Sequence, residues 1–206
     1  AEWTEMLRRG QAKLIAYQNP ARALGRYKAN DPSIVARYAR AMAFYRRGDL
    51  AQALPLIDGL LAAEPNNPFF HELKGQMLFE NGRGREALPS YEQSVKLLPD
   101  SALLRTALGQ AMIETGDPAR LQPAIAHLEE AVRLDHQSPF TWRQLAIAYG
   151  RKGELGLAAL ALAEQALIVG DTREARLQSQ RAQKQLPVGS PGHIRALDIE
   201  RSAERE

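Results

Sequence analysis

Gly75, Gly82, Ala87, Tyr91 and Pro99 have counterparts 34 residues upstream, position for position, in Ala41, Gly48, Ala53, Ile57 and Pro65. Gly109 and Gly116 fall 34 residues downstream of the first two. A fixed period of this length decides architecture before any local propensity does, because each repeat must be one supersecondary unit that buries its apolar face only by stacking on its neighbours. The residue types say what the unit is. A Gly or Ala at the eighth position lets a second helix come close to the first, and an Ala at the twentieth is the flat spot facing it. Gly48, Gly82, Gly116 and Gly153 end the first helices, where a residue lacking Cβ takes the left-handed conformation cheaply. Pro65 and Pro99 stop the second helices, since the pyrrolidine ring cannot continue them.

A fourth copy reads Trp142, Leu145, Ala146, Tyr149, Gly153, Ala158 and Leu162. It follows the tetratricopeptide pattern W-x2-L-G-x2-Y…A-x3-F, with Ala for the Gly and Leu for the Phe. The third copy departs from the period: the small residue returns three places late, at Ala124, followed by Leu128, Ala131 and Leu134, with His136 where Pro is expected. Asp117-Pro118-Ala119-Arg120 therefore reads as a longer inter-helix turn.

The expected fold is all-α, a tetratricopeptide-type helical solenoid of about four repeats with degenerate capping helices at both ends. Residues 1–33 form the N-terminal capping pair, with Asn19-Pro20 as a helix start. Residues 34–169 hold the repeats (34–67, 68–101, 102–138 and 139–169). Residues 170–206 hold a half-repeat and a final capping helix with Ile194, Leu197 and Ile199 among charges. The expected helices run near 2–17, 20–29, 34–47, 50–63, 68–81, 84–97, 102–115, 120–134, 139–152, 154–169, 171–185 and 190–204. Residues 154–169 serve two registers, because Gly170, Ala175, Ala182 and Pro187 continue the pattern after them. The series Ala158, Ala159, Ala161, Ala163 and Ala166 predicts that this helix is among the most buried.

Composition excludes several chemistries. The 206 residues contain no Cys, which removes disulfides, thiol catalysis and thiolate metal sites. The formal charge is +3, with ten Lys/Arg against four Asp/Glu in residues 1–50 and eight against twelve in residues 51–150. That basic first quarter lacks dense Lys/Arg runs interleaved with aromatics, so it reads as a solvated face rather than a nucleic-acid surface. No apolar run approaches the roughly 20 residues of a membrane span. The chain begins with Ala and no basic-then-apolar leader follows, so a mature product or an excised piece is expected. His71, His127, His136 and His193 never pair at a helical ligand spacing, Gly82-Arg83-Gly84 lacks the rest of a phosphate loop, and the serines have no nucleophile context. No catalytic residue, metal site or cofactor is expected in this chain.

In stacked helix pairs the first helices line the concave face at positions two, five, nine and twelve. That assigns Val35, Tyr38, Met42 and Tyr45 from the first copy, and Phe69, Glu72, Gln76 and Phe79 from the second. The third gives Leu103, Thr106, Gln110 and Ile113, and the fourth Phe140, Arg143 and Ile147, with Gly150 opening room. Aromatics flanked by Gln, Glu and Arg suit a protein or peptide anchored by apolar side chains. The same aromatics would equally serve as packing between adjacent repeats, and the pattern leaves both open. Tyr38 and Met42 stand where a clamp for C-terminal carboxylates needs Lys and Asn, so that clamp is not expected.

The runs Ala36-Arg37-Tyr38-Ala39-Arg40-Ala41 and Tyr45-Arg46-Arg47-Gly48-Asp49-Leu50 carry a more specific likeness. So do Asn67-Pro68-Phe69-Phe70-His71-Glu72-Leu73-Lys74-Gly75-Gln76 and Ala148-Tyr149-Gly150-Arg151-Lys152-Gly153. Over nearly its whole length the chain resembles the C-terminal repeat domain of bacterial periplasmic zinc metallopeptidases of the β-barrel assembly-enhancing type. The resemblance implies a periplasmic location, a protease domain bearing His-Glu-x-x-His on the N-terminal side, and zinc in that domain alone. It implies repeats that dock on the protease domain in cis and recruit outer-membrane assembly machinery or substrates. His71-Glu72 opens the motif but Gly75 stands at its fifth position, so this chain would be the non-catalytic repeat portion. The alternative is a stand-alone repeat adaptor in a cytoplasmic or secretion complex.

Overall fold

The computed structural model describes residues 2–204, and among these every regular element is helical. Twelve α-helices follow one another: α1 (Glu2–Gln18), α2 (Pro20–Arg26), α3 (Ile34–Arg46), α4 (Leu50–Ala63), α5 (Pro68–Glu80) and α6 (Gly84–Leu97). The rest are α7 (Ala102–Glu114), α8 (Leu121–Leu134), α9 (Pro139–Lys152), α10 (Leu155–Ile168), α11 (Thr172–Gln185) and α12 (Pro191–Ala203). The chain divides into two compact units, meeting in sequence at Leu98 and Pro99.

The helix starts are written in side chains. Asn19, Ser33, Asp49, Asn67, Ser101, Ser138, Asp171 and Ser190 each cap a helix, accepting from a backbone N–H two or three residues on. Pro occupies the first helical position of α2, α5, α9 and α12, where its missing N–H costs nothing. The ends of the first helices are equally local: Gly48, Gly82, Gly116 and Gly153 have φ of 74°, 76°, 69° and 84°. At Gly153 this left-handed residue turns its N–H back to the carbonyls of Gly150 and Tyr149, closing α9.

α2 stops at Arg26, three residues short of the expected end, with Tyr27 already extended. Further on, Pro32 keeps Asp31 out of the helical region, and the Asp31 carboxylate accepts from the Ser33 N–H ahead of α3. The insertion after Gly116 folds as a 3-10 turn (Pro118–Arg120) capped by Asp117. Pro55 and Pro89 lie inside α4 and α6 at the same register, and both are exposed, so the carbonyl each leaves unbonded can face water.

In the first unit α1 packs on α2 and α3, α3 on α4, α4 on α5, and α5 on α6. Its core joins Tyr38, Met42, Tyr45, Ile57, Leu60, Phe70, Leu73 and Met77 to the small faces Ala16, Ala23, Ala41 and Ala53. The close approach asked of position eight is visible at Gly75, where an added Cβ would lie 2.9 Å from the Tyr91 ring. In the second unit α7 packs on α8, α8 on α9, α9 on α10, and α10 on both α11 and α12. Gly109 there repeats the arrangement, with Leu128 2.6 Å from an added Cβ. α10 thus touches three helices, and Ala159, Ala161, Ala163 and Ala166 are buried in it, while Ala158 is only partly covered. Ile199 is fully buried on α12, whereas Ile194 stays 51% exposed.

Candidate partner-binding surface

At position two of α5, α7 and α9 the structure leaves a large apolar side chain in solvent, whereas Val35 at that position of α3 is partly covered. Phe69 on α5 is 53% exposed, Leu103 on α7 68% and Phe140 on α9 49%. On the same faces Glu72, Gln76, Phe79, Gln110 and Ile147 are partly covered, and Arg143 and Gly150 are exposed. Tyr38, Met42, Tyr45, Thr106 and Ile113 are instead buried, so the packing role weighed for Tyr38 applies to all five. A partner meets them at most along an edge.

In the first unit the buried tyrosines support a polar strip along α5. The Tyr45 hydroxyl donates to the Glu80 carboxylate, and Gln76 Nε2 donates to the same carboxylate at 2.9 Å, so α5 is tied to α3 and its own last turn is braced. Burial first, and then the bond and charge of Glu80, raise the Tyr45 phenol well above its ordinary value. Burial and the field of Glu72 push Tyr38 up to about 12, with Arg9 opposing. Burial and the charge of Glu80 also raise the Glu72 carboxyl, and Lys13 pulls the other way. Tyr38 packs on Phe70 with ring centroids 5.5 Å apart, and Phe79 meets Tyr91 edge-on at 6.4 Å.

The second unit fixes its first helices differently. Thr106 and Thr141 share a hydrogen bond of 3.0 Å between α7 and α9. Tyr149 donates to Glu129 at 2.5 Å, and Arg151 donates to the Ile113 carbonyl at 2.5 Å. These bonds hold the helices that carry Leu103 and Phe140 in fixed orientation.

α1 contributes what sequence reasoning missed. Read there as a simple cap, it lays Ala12 and Ala16, both fully buried, against the first unit and brings Arg9 and Lys13 beside Tyr38 and the turn between α4 and α5. The spacing of Arg9 and Lys13 at i and i+4 was the available signal that both lie on one face. A cleft of about 670 Å³ opens there. Among the described residues no three His, Asp or Glu side chains gather as a metal site, and no helix is long and apolar enough to cross a membrane. His71 Nε2 bonds the Pro65 carbonyl at 2.8 Å, and His127 Nδ1 lies 3.2 Å from Arg105.

Comparison with known proteins agrees with this geometry. Residues 38–102 and 73–139 match the tetratricopeptide repeat family, so the chain carries tetratricopeptide repeats and its fold is a helical solenoid of that type. No curated protein matches the chain by sequence. Among solved structures, YrrB, described as a TPR protein with an unusual peptide-binding site, is 19% identical. That match has a TM-score of 0.66 and covers 84% of this chain and 90% of the other. A double mutant of MamA RS-1 is 24% identical with a TM-score of 0.65, covering 81% and 94%. MamA from Desulfovibrio magneticus RS-1 is 16% identical with a TM-score of 0.62, covering 84% and 98%.

Proposed function

We propose that this chain is a non-catalytic protein-interaction scaffold that holds a protein or peptide partner through exposed apolar side chains on the first helices of its repeats. The observation that carries the reading is the exposure of Phe69, Leu103 and Phe140 at one register position while other apolar residues of the same helices are buried. Large apolar side chains left in water at a repeated position are anchors in search of a pocket, and aromatic anchors dominate binding energy at interfaces. The tetratricopeptide fold is generally an interaction fold rather than a catalytic one, and YrrB's peptide-binding site supports a peptide or protein as the ligand class.

The likeness to periplasmic zinc metallopeptidases extends the proposal: the chain is the repeat portion of such a protein, docking on a protease domain and recruiting outer-membrane assembly components or substrate. The sequence runs around Tyr38, Tyr45, Phe69 and Tyr149 are its support. Zinc would belong to that other domain. Here Gly75 stands where the second histidine would be and His71 is engaged with Pro65, so these residues do not fit the metal. The reading frame upstream of Ala1 tests this part directly. A His-Glu-x-x-His domain supports it, and a start codon in its place removes it.

The scaffold reading is tested by retention of partners from the native organism. Wild-type chain is compared with Phe69→Ser/Phe140→Ser, changes at two half-exposed positions, with circular dichroism and thermal unfolding used to check that the variant keeps its fold. Proteins held by the wild type are expected to be lost from the variant. An unchanged set of retained proteins would refute the assignment of these side chains as anchors.

A further inference from the structure

The cleft beside α1 has the walls of a specific site rather than of a packing defect. Its volume of about 670 Å³ falls within the roughly 300–1,000 Å³ of ligand clefts, enough for one large side chain with its flanking backbone. Its floor is the Tyr38–Phe70 pair, and Phe69 stands half in solvent at the edge with Pro65 and Pro68.

The frame around that floor is already rigid. The Glu64 carboxylate receives both guanidinium nitrogens of Arg9, at 2.9 and 2.6 Å, and the Asn67 side-chain amide at 2.8 Å. Asn67 Oδ1 caps the backbone N–H groups of Phe69 and Phe70 at 3.1 and 3.3 Å. His71 closes the turn onto Pro65. A ligand entering here meets a turn and an Arg9–Glu64 pair already fixed by hydrogen bonds, which lowers a usual cost of binding.

Charge then selects the ligand. Arg9 and Glu64 cancel each other. Lys13 lines the cleft as well, and it has no ion-pair partner within contact distance among the described residues. Its field also reaches the Glu72 carboxyl, which is not one of the residues lining the cleft. The residues lining the cleft thus hold two cations, Arg9 and Lys13, against one carboxylate, Glu64, within a quarter of the chain that carries ten basic residues against four acidic.

We propose that this cleft binds a peptide segment presenting an aromatic side chain next to a carboxylate, the ring seated against Phe69 and the exposed edges of Tyr38 and Phe70 and the carboxylate answered by Lys13. The proposal rests on the scaffold reading and names the ligand for one part of it. Apolar contact supplies affinity and Lys13 supplies the choice of partner.

Three fluorescein-labelled octapeptides in a Gly/Ser background test it, centred on Asp-Phe-Asp, Asp-Ala-Asp and Lys-Phe-Lys, with binding read by anisotropy. Asp-Phe-Asp is expected to bind at least tenfold more tightly than either other peptide, and Lys13→Glu to reverse the preference between the two Phe peptides. Gly10→Leu is the blocking variant. Among the described residues nothing lies within 4 Å of a Cβ added at Gly10, which lines the cleft, so a side chain starts there without a clash and at the opening. It is expected to abolish binding without lowering the unfolding temperature. Equal binding of the Lys-Phe-Lys peptide, or binding untouched by Gly10→Leu, overturns the proposal. A photoreactive residue at 69 or 76 separates this failure from failure of the scaffold reading. Capture of Asp-Phe-Asp at 69 supports the cleft. Capture only at 76 overturns the cleft and leaves the scaffold. Capture at neither overturns the cleft, and the partner-retention experiment then decides the scaffold by itself. A concentration-dependent dimer that Gly10→Leu abolishes would assign the cleft to a second copy and overturn the peptide.

Discussion

Gly75→Ala is the substitution for which local propensity and packing give opposite answers. In an isolated helix the change gains about 1 kcal/mol, because Ala loses less backbone freedom than Gly. In this fold the new methyl would sit 2.9 Å from two carbons of the Tyr91 ring and 3.0 Å from a third. Those distances lie inside van der Waals contact, and the ring cannot swing away easily. Tyr91 is 3% exposed and is met edge-on by Phe79 at 6.4 Å. Overpacking of this kind costs about 1–3 kcal/mol, and three close atoms on a rigid ring place it at the upper end. The net expectation is a loss of about 1–2 kcal/mol after the propensity gain. In a unit of this size that lowers the unfolding temperature by roughly 5–10 °C. Urea unfolding followed by circular dichroism reads the change. The first repeat suggests the rescue: there Ala41 occupies position eight and Ile57 the place of Tyr91. Tyr91→Ile added to Gly75→Ala should therefore show a favourable coupling of about 1 kcal/mol or more in a double-mutant cycle. Gly59→Ala is the control, since its methyl meets only Arg37 at 3.7 Å, and it should be neutral or stabilising by up to about 1 kcal/mol. If Gly75→Ala proves as stable as the wild type, close helix approach does not dictate the glycine and the reasoning is refuted.

Other expectations follow from single features. Gly153→Ala forces a side chain into φ of 84° and should cost about 1–2 kcal/mol in thermal unfolding, with Gly153→Asn losing less; equal losses would contradict a left-handed cap. The Tyr38 phenol is raised from 10.0 to about 12 in the folded protein, so its stabilising contribution is intact below pH 10 and lost as pH climbs through about 12. Urea midpoints between pH 9 and 12 should fall accordingly, and less steeply in Tyr38→Phe. Arg195 donates two hydrogen bonds, of 2.6 and 2.8 Å, to the Glu164 carboxylate on α10. Glu164 is 9% exposed, so Arg195→Ala strands a covered charge. The half-exposed Arg195 limits the loss to about 1–2 kcal/mol, measurable by urea unfolding and partly recovered by Glu164→Gln.

Much of the helical architecture was legible because its determinants are local. Asn19, Ser33 and Asn67 state where helices begin, and Gly48 and Gly153 state where they end, whatever the rest of the chain does. The spacing of 16 residues that brings Gly75 to Tyr91 could be read from the repeat, and the added three residues bring Gly109 to Leu128 in the same way. Depth of burial was not legible. Periodicity assigns Tyr45 and Phe69 to one kind of face, yet one is 8% exposed and the other 53%, because neighbouring helices decide how far each position is covered. The contribution of α1 lay further out of reach. No repeat consensus describes that helix, and its bond from Arg9 to Glu64 spans 55 residues.

Site-specific photocrosslinking in the native cell tests the central claim most directly. A photoreactive residue is placed at Gln76 and Gln110 on the first-helix faces, and at Gln122 and Glu92 on exposed stretches of second helices as controls. The scaffold reading predicts discrete protein adducts from Gln76 and Gln110, competed away by excess unlabelled chain, and none from the controls. The extended reading predicts that these adducts contain a protease domain or outer-membrane assembly components. Adducts from the control positions alone, or from no position at normal expression, would contradict the claim that the first helices carry the working surface.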